Sequence, residues 1–91
     1  VEAMARWLAI ELSPSEIRVT AVAPSTVATD GVRAMLDDAT FAARVASTPL
    51  GRLGETSDSA EAVLFFSDST RSGFVTGQSL LVDGGISIAL R

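Results

Sequence analysis

The side chains that could take part in chemistry are the carboxylates of eleven Asp and Glu residues, the guanidinium groups of seven basic residues, all arginines, and the hydroxyls of Ser and Thr. The sequence contains no Cys, His, Tyr or Lys. It therefore offers no disulfide framework, thiolate nucleophile, Cys/His zinc site or Ser-His-Asp triad. Acid–base work by this chain is left to carboxylates and hydroxyls.

One group of hydroxyls follows a short apolar run. Residues 17–23 are rich in β-branched side chains, which is typical of a strand buried on both faces. Pro24 ends this run, because proline lacks the N–H that a strand ladder needs. If the strand belongs to a parallel sheet, residues 24–29 (PSTVAT) emerge at its carboxyl end, where open α/β sheets bind ligands. We therefore predict that residues 24–29 are the functional segment.

Two other segments could be mistaken for ligand sites. Asp37 and Asp38 could attract a metal ion, but adjacent carboxylates without further ligands make a poor site, so a solvated turn is predicted there. Residues 48–54 contain glycine and proline, but they lack GxGxxG spacing and do not follow a strand. The sequence therefore predicts no metal site, and a linker rather than a phosphate loop.

The segment before the strand is predicted to be a helix over residues 1–12. Its apolar residues form two nearly opposite faces. We expect one face to pack on a sheet and the other on a neighbouring helix or subunit; a core helix of a monomer explains the pattern equally well. A polar loop at 13–16 then leads into the strand. This order suggests half of a βαβ unit whose first strand precedes residue 1, so we expect the sheet to lack its other strands.

Residues 32–47 have apolar side chains at roughly helical spacing, which predicts two short helices with a break near residues 38–40. Because they follow the predicted functional segment, we interpret them as a lid over a ligand. The alternative is a helical connection without a role in binding.

The C-terminal half is predicted to contain one helix and one further strand. The helix runs from residue 57 to about 68, is capped by Thr56 or Ser57, and is apolar around most of its circumference, so we expect it to be enclosed. A polar turn at 69–73 precedes a strand at 78–82, which Asp83, Gly84 and Gly85 end. The apolar tail at 86–91 is expected to dock against another surface.

The composition limits the classes of partner. A chain of 91 residues is at most one small domain, yet 47% of its residues are hydrophobic. We infer that part of its apolar surface serves a partner or a missing segment. No apolar run approaches the roughly 20 residues of a membrane span, and no signal-like N-terminus is present. A net charge of −4 argues against a surface that follows nucleic-acid phosphates.

The order of these segments resembles the C-terminal part of the short-chain dehydrogenase/reductases. The resemblance is carried by IRVTAVAP, a loop containing Thr29 and Asp30, PLGRLGE, AEAVLFF and FVTGQSLLVDGG, and it covers essentially the whole chain. It implies an α/β fold, the C-terminal portion of a doubly wound Rossmann-type parallel sheet. It also implies an enzyme that binds NAD or NADP and transfers a hydride between the nicotinamide and a small-molecule alcohol or carbonyl substrate.

The resemblance assigns cofactor-binding roles to four residues. Pro24 and Ser25 would lie against the nicotinamide ring, backbone groups of Val27 would hold its carboxamide, and the Thr29 hydroxyl would contact the carboxamide or the pyrophosphate. An amide needs a donor and an acceptor at fixed separation, which one residue's N–H and C=O supply. Ser25 departs from the glycine that is usual in the family, which affects how closely the ring can approach.

No catalytic residue is predicted within the chain. The family's catalytic Tyr and Lys, its usual Ser and its glycine-rich turn all precede the helix that opens this sequence, so these 91 residues alone should be inactive. The resemblance implies that the missing N-terminal part of the enzyme is a partner, and it implies a cytoplasmic homodimer or homotetramer. The alternative is a non-catalytic, truncated family member that acts as an interaction or oligomerisation module.

Overall fold

The computed structural model describes residues 1–89 and shows an α/β fold with two parallel strands. The elements in chain order are α1 Glu2–Leu12, β1 Ala21–Pro24, α2 Asp30–Met35, α3 Asp38–Ser47, α4 Thr56–Ser67, α5 Ser69–Ser72 and β2 Ser79–Val82. Single 3₁₀ turns occupy Ser13–Ser15 and Ile86–Ile88. Leu90 and Arg91, the end of the predicted docking tail, lie outside the described residues.

The two strands lie side by side in parallel, with Ala21 opposite Ser79 and Pro24 opposite Val82. The predicted first strand is too long, because residues 17–20 do not join the ladder. Val19 instead donates its N–H to the Thr76 side-chain oxygen at 3.0 Å and accepts a hydrogen bond from the Gly77 N–H at 2.7 Å. The turn before β2 therefore satisfies the backbone that precedes β1.

Pro24 is the last residue of β1 and causes no loss of a ladder hydrogen bond. The next hydrogen bond in the ladder joins the Ser25 N–H to the Val82 carbonyl at 3.3 Å. In a parallel pair the residue between two such bonds turns its own N and C=O to the other side. The missing N–H of Pro24 therefore faces the edge of β1 opposite to β2, where prolines are tolerated.

Helix α1 packs through one face. Ala5 and Ala9 are its buried residues, and the backbone of Gly77 comes close to Ala9. Its opposite face is open, with Trp7 61% and Ile10 73% exposed. The expected burial of both faces is therefore not met within residues 1–89, and the open face is available to a further segment or subunit.

Helix α4 is likewise covered on one side. Ala62 is buried, but Val63, Leu64 and Phe65 remain between 43% and 60% exposed. The expected enclosure of this helix is not met within residues 1–89. Ile88 in the tail is also largely exposed, so the docking predicted for the tail is not seen in the described part of it.

Short polar side chains determine where the remaining helices begin. The break between α2 and α3 comes earlier than predicted, because Asp37 is the N-cap of α3 and accepts the Thr40 N–H. Helix α4 begins after Glu55, not after Thr56 or Ser57; the backbone of Glu55 is extended and its N–H donates to Asp58 at 2.7 Å. The predicted polar turn at 69–73 is the short helix α5, because Asp68 caps it by accepting the Thr70 N–H.

A hydrogen-bond network around Arg18 ties the end of α4 to the segment before β1. The Arg18 guanidinium donates to the Phe66 carbonyl at 2.9 Å, the Ser72 carbonyl at 2.9 Å and the Val75 carbonyl at 3.3 Å. Ser72 is fully buried and its hydroxyl donates to the Phe65 carbonyl at 2.7 Å. This network closes the last turn of α4, whose carbonyls have no partners within the helix. None of the helices in residues 1–89 is long and apolar enough to cross a bilayer.

Candidate functional site

The loop at residues 25–29 is held beside the carboxyl ends of both strands. Ser25 continues the ladder through its bond to Val82. Further along, the Gly54 N–H donates to the Thr26 carbonyl at 3.1 Å, and the Ala28 N–H donates to the Gly54 carbonyl at 2.7 Å. The linker that contains Gly54 therefore fixes the middle of the loop, as a single parallel bridge between Val27 and Gly54.

This bridge determines which way the backbone of Val27 points. Because the neighbouring residues Thr26 and Ala28 make both bonds to Gly54, the N–H and C=O of Val27 face the opposite side. Within residues 1–89 the Val27 N–H donates no hydrogen bond, while its C=O accepts one from the Thr29 N–H at 2.8 Å. A carbonyl oxygen has two lone pairs, so Val27 presents a donor and an acceptor together.

Thr29 has a structural role that the sequence analysis did not predict. Its backbone is extended and its side-chain oxygen accepts the Val32 N–H at 3.2 Å, so it is the N-cap of α2. A hydroxyl that accepts one hydrogen bond can still donate its proton. Thr29 is exposed, and its hydroxyl proton is free to bind a ligand while its oxygen caps the helix.

Pro24 and Ser25 occupy the exit of β1. Pro24 is exposed and Ser25 is half-buried. In residues 1–89 the only non-glycine residue with a positive φ is Glu16, so the backbone of Ser25 does not require glycine. The departure from the family's glycine therefore places a small side chain there without backbone strain.

A cleft of about 520 Å³ opens at the carboxyl ends of the strands, on the Gly54 side of the loop. It is lined by residues 25–26, by the linker at 48–50 and 52–54, by the end of β2 and the turn after it at 81–86, and by Arg44, Asp58 and Glu61. Of the four predicted cofactor residues only Ser25 lines it. The cleft lies on the Gly54 side of the loop, whereas the N–H and C=O of Val27 face the opposite side.

Two of the five charged side chains that line this cleft, Arg52 and Asp58, form an ion pair. Arg52 binds Asp58 through two hydrogen bonds, of 2.8 and 3.2 Å. The Arg52 guanidinium and the Glu55 N–H lower the pKa of Asp58 to about 2. Hydrogen bonds from Ser87 and Gly85 lower the pKa of Asp83. Asp58 and Asp83 are therefore ionised at neutral pH, so neither carboxyl is poised to donate a proton.

Residues 1–89 contain no group of three or more acidic side chains that could hold a metal ion. Asp37, half of the pair considered for such a site, instead caps α3. Its hydrogen bonds from Thr40, backbone and side chain, lower its pKa. The Asp37 carboxylate therefore acts as the N-cap of α3.

The sequence analysis proposed the loop as the functional segment but did not single out three residues that position it. Gly54 holds the loop through backbone bonds, Arg44 donates from α3 to the Thr26 hydroxyl at 2.9 Å, and Arg52 pairs with Asp58. The first two of these contacts join residues far apart in sequence, and no local spacing signals them. Only the Arg52–Asp58 pair could have been predicted from local sequence, because its opposite charges lie six positions apart at the start of a helix.

A family model described as enoyl-(acyl carrier protein) reductase matches residues 1–87. The chain belongs to the short-chain dehydrogenase/reductase family. This confirms the resemblance and the predicted fold class, part of a doubly wound Rossmann-type parallel sheet. The family description refers to the family and does not specify the reaction of this chain.

Individual family members agree with this assignment. An L-rhamnose 1-dehydrogenase (NAD(P)(+)) from Azotobacter vinelandii is 46% identical over 84 residues, which cover 91% of this chain and 32% of that protein. A 3-oxoacyl-[acyl-carrier protein] reductase structure from Brucella melitensis superposes with a TM-score of 0.87 at 40% identity, covering 93% of this chain and 31% of that one.

A third family member was solved with bound NAD. It is assigned as a D-mannonate oxidoreductase from Haemophilus influenza and superposes with a TM-score of 0.84 at 32% identity, covering 98% of this chain and 34% of that one. The chain thus spans about a third of the length of the short-chain dehydrogenase/reductases that it matches.

Proposed function

We propose that this chain supplies the nicotinamide-side loop and the adjacent helices of an NAD- or NADP-dependent oxidoreductase that acts on a small-molecule alcohol or carbonyl compound. The observation that carries the proposal is the outward-facing N–H and C=O of Val27 at the carboxyl end of β1. The named relatives, one of which is a dehydrogenase for NAD(P) and one of which was solved with NAD, support the cofactor class.

Residues 24–29 fit a nicotinamide carboxamide. The carboxamide carries one acceptor and two donor hydrogens, and Val27 offers the complementary pair on one side of the loop. Gly54 holds this pair in place before any ligand binds, because both of its backbone bonds go to the neighbours of Val27. Such preorganisation lowers the entropic cost of binding.

The remaining predicted residues support the same placement. Pro24 is the last residue of β1 and has no N–H to point away from β2. A nicotinamide ring lying at that edge would therefore meet no backbone donor from Pro24. Ser25, the next residue, adds only a small side chain. The Thr29 hydroxyl proton is the nearest side-chain donor further along the loop. A bound nicotinamide would supply the hydride chemistry, and Pro24, Ser25, Val27 and Thr29 would bind and orient it.

The proton donor of the proposed reaction does not come from residues 1–91, which contain no Tyr or Lys. We propose that the family's Tyr and Lys are contributed by polypeptide beyond these residues. The alternative, a non-catalytic member that serves as an interaction module, stays a hypothesis, and the cofactor experiment below separates the two.

The test uses the full polypeptide encoded by the gene that carries this sequence, and it must separate helix capping from ligand contact at Thr29. Thr29→Gly costs little as an N-cap of α2 and removes the hydroxyl proton; Thr29→Ser keeps both the capping oxygen and the proton. We expect Thr29→Gly to raise the Kd for NADH or NADPH about two- to tenfold, the loss of one hydrogen bond, with Thr29→Ser close to wild type. The Kd is measured by cofactor fluorescence.

Two results would count against the proposal. Equal affinity in the wild type and Thr29→Gly would contradict the assigned role of the Thr29 hydroxyl. If the folded wild-type protein bound neither NADH nor NADPH, the oxidoreductase assignment would be wrong, and the interaction module would be favoured.

A further inference from the structure

Helices α2 and α3 contact the rest of the chain through few side chains. Neither helix has a buried residue, and Met35 is 84% exposed. The two helices contact each other through the Arg33 guanidinium, whose Cζ lies 5.5 Å from the centroid of the Phe41 ring. We call residues 30–47 the α2–α3 unit, and its orientation depends on the bonds at its ends.

Arg44 makes a side-chain bond between this unit and the loop at 25–29. Its Nη1 donates to the Thr26 Oγ1 at 2.9 Å. Its own backbone carbonyl accepts a hydrogen bond of 2.8 Å from the hydroxyl of Thr48, which is 7% exposed. The turn of α3 that carries Arg44 is therefore fixed to a buried residue, and from this fixed position the guanidinium reaches the loop.

Thr26 is well placed to transmit this contact. It lies between Ser25 and Val27, and its carbonyl already accepts the Gly54 N–H. We infer that Arg44 is a positioning residue, whose hydrogen bond to Thr26 holds the α2–α3 unit against the loop and steadies the backbone of Val27. The consequence for cofactor binding rests on the proposed function, whereas the bond itself does not.

The charge environment favours positioning over the capture of an anion. Within residues 1–89 no carboxylate oxygen lies within 4.0 Å of the Arg44 guanidinium, so its side-chain bond is to a neutral hydroxyl. Three carboxylates, those of Asp58, Glu61 and Asp83, line the same cleft. A charge-to-hydroxyl bond is also little weakened by salt, whereas attraction of a charged ligand is screened.

The experiment measures attachment of the α2–α3 unit directly, in the full polypeptide without cofactor or substrate. Chymotrypsin cleaves after large apolar residues such as Leu36 and Phe41, and cleavage there reports opening of the unit. Arg44→Gln keeps a good helix former but shortens the side chain, and Thr26→Val removes the acceptor while keeping the shape. We expect each variant to be cleaved about two- to tenfold faster than wild type, in low and high salt alike.

Further variants make the test specific. The double variant with both substitutions is expected to be cleaved no faster than either single one, because they remove the same bond. Arg71→Gln, which removes an exposed arginine far from the loop, is expected to behave as wild type. In the cofactor assay Arg44→Gln is expected to raise the Kd about two- to tenfold.

Three outcomes would overturn the inference. One is wild-type cleavage of both single variants, and another is additive effects in the double variant. The third is unchanged cleavage of Arg44→Gln with weaker affinity for anionic ligands alone, which would make Arg44 a ligand contact. Because cleavage needs no bound cofactor, a negative result here is distinguishable from failure of the Thr29 experiment.

Discussion

At the scale of single residues, the turn after β2 depends on a glycine. Gly84 has a φ of +62°, and a Cβ there would lie 2.6 Å from the Thr48 Cγ2. Thr48 is buried and its hydroxyl is bonded to α3, so its side chain cannot move aside. We expect Gly84→Ala to lower the free energy of unfolding by roughly 2–4 kcal/mol, from backbone strain and overpacking together. Urea denaturation measures it.

Gly51 provides a matched control for this prediction. Its φ is +77°, but nothing lies within 4 Å of a Cβ placed there. Gly51→Ala therefore carries the backbone strain alone, about 1–2 kcal/mol. Equal losses for the two variants would show that contact with Thr48 does not matter.

The residues of the site differ in how far the sequence could predict them. Residues 24–29 could be proposed as the functional segment because a strand that ends in proline is a local pattern. The direction of the Val27 backbone was not predictable in this way, since it is set by Gly54, more than twenty positions along the chain. The capping role of Thr29 could have been read locally, because threonine before an Asp-Gly pair and an apolar run is a helix-start signal.

At the scale of elements, the start of α4 is stabilised by charge. The carboxylate of Asp58 accepts from both Arg52 and the Glu55 N–H, which joins the linker at 48–54 to the helix. These bonds lower the pKa of Asp58 from 3.8 to about 2. A carboxyl with a lowered pKa in the folded state contributes stability that is complete above 3.8 and is lost as the pH falls towards 2.

We therefore expect the difference in unfolding free energy between wild type and Asp58→Asn to shrink when the pH is lowered from about 6 to about 2.5. Urea denaturation at both values measures this difference. In an Arg52→Met background the main cause of the pKa shift is gone, so the Asp58→Asn difference should depend less on pH. A difference that is the same at both pH values in wild-type background would contradict the assigned coupling.

The elements also show where local patterns are insufficient. The order of α1, β1, α2, α3, α4 and β2 was predicted correctly, but α5 was predicted as a turn and the start of the first strand was placed too early. Residues 17–20 have strand-like composition, yet Val19 bonds to Thr76 and Gly77 instead of a ladder. Arg18 likewise donates a hydrogen bond to the Phe66 carbonyl at the end of α4. The two residues are 48 positions apart, and no periodic pattern in the sequence predicts such a contact.

At the scale of the whole molecule, the exposed apolar faces are the main unexplained feature of residues 1–89. Helix α1 exposes Met4, Trp7 and Ile10 along one side, and α4 exposes Val63, Leu64 and Phe65. Contiguous apolar surfaces of this kind mark interaction sites. The sequence predicted apolar faces on both helices, but nothing within residues 1–89 covers them, so the sequence could not predict what they contact.

The predicted homodimer or homotetramer assigns these faces to contacts between subunits. We expect sedimentation equilibrium of the full polypeptide at micromolar concentration to show a dimer or tetramer. Ile10→Asp places a charge on the exposed side of α1, where desolvating it in an interface is costly, so the assembly should shift to a smaller species. Met35→Asp is the matched control, because Met35 is at least as exposed but lies on α2, away from both faces.

The two variants separate the possible occupants of the α1 face. If a segment of the same polypeptide covers it, Ile10→Asp lowers the unfolding free energy without changing the wild-type assembly state. If a second subunit covers it, the assembly dissociates at concentrations where Met35→Asp remains assembled. A monomeric wild type at micromolar concentration would contradict the oligomer prediction outright, and the exposed side of α1 would then belong to packing within one chain.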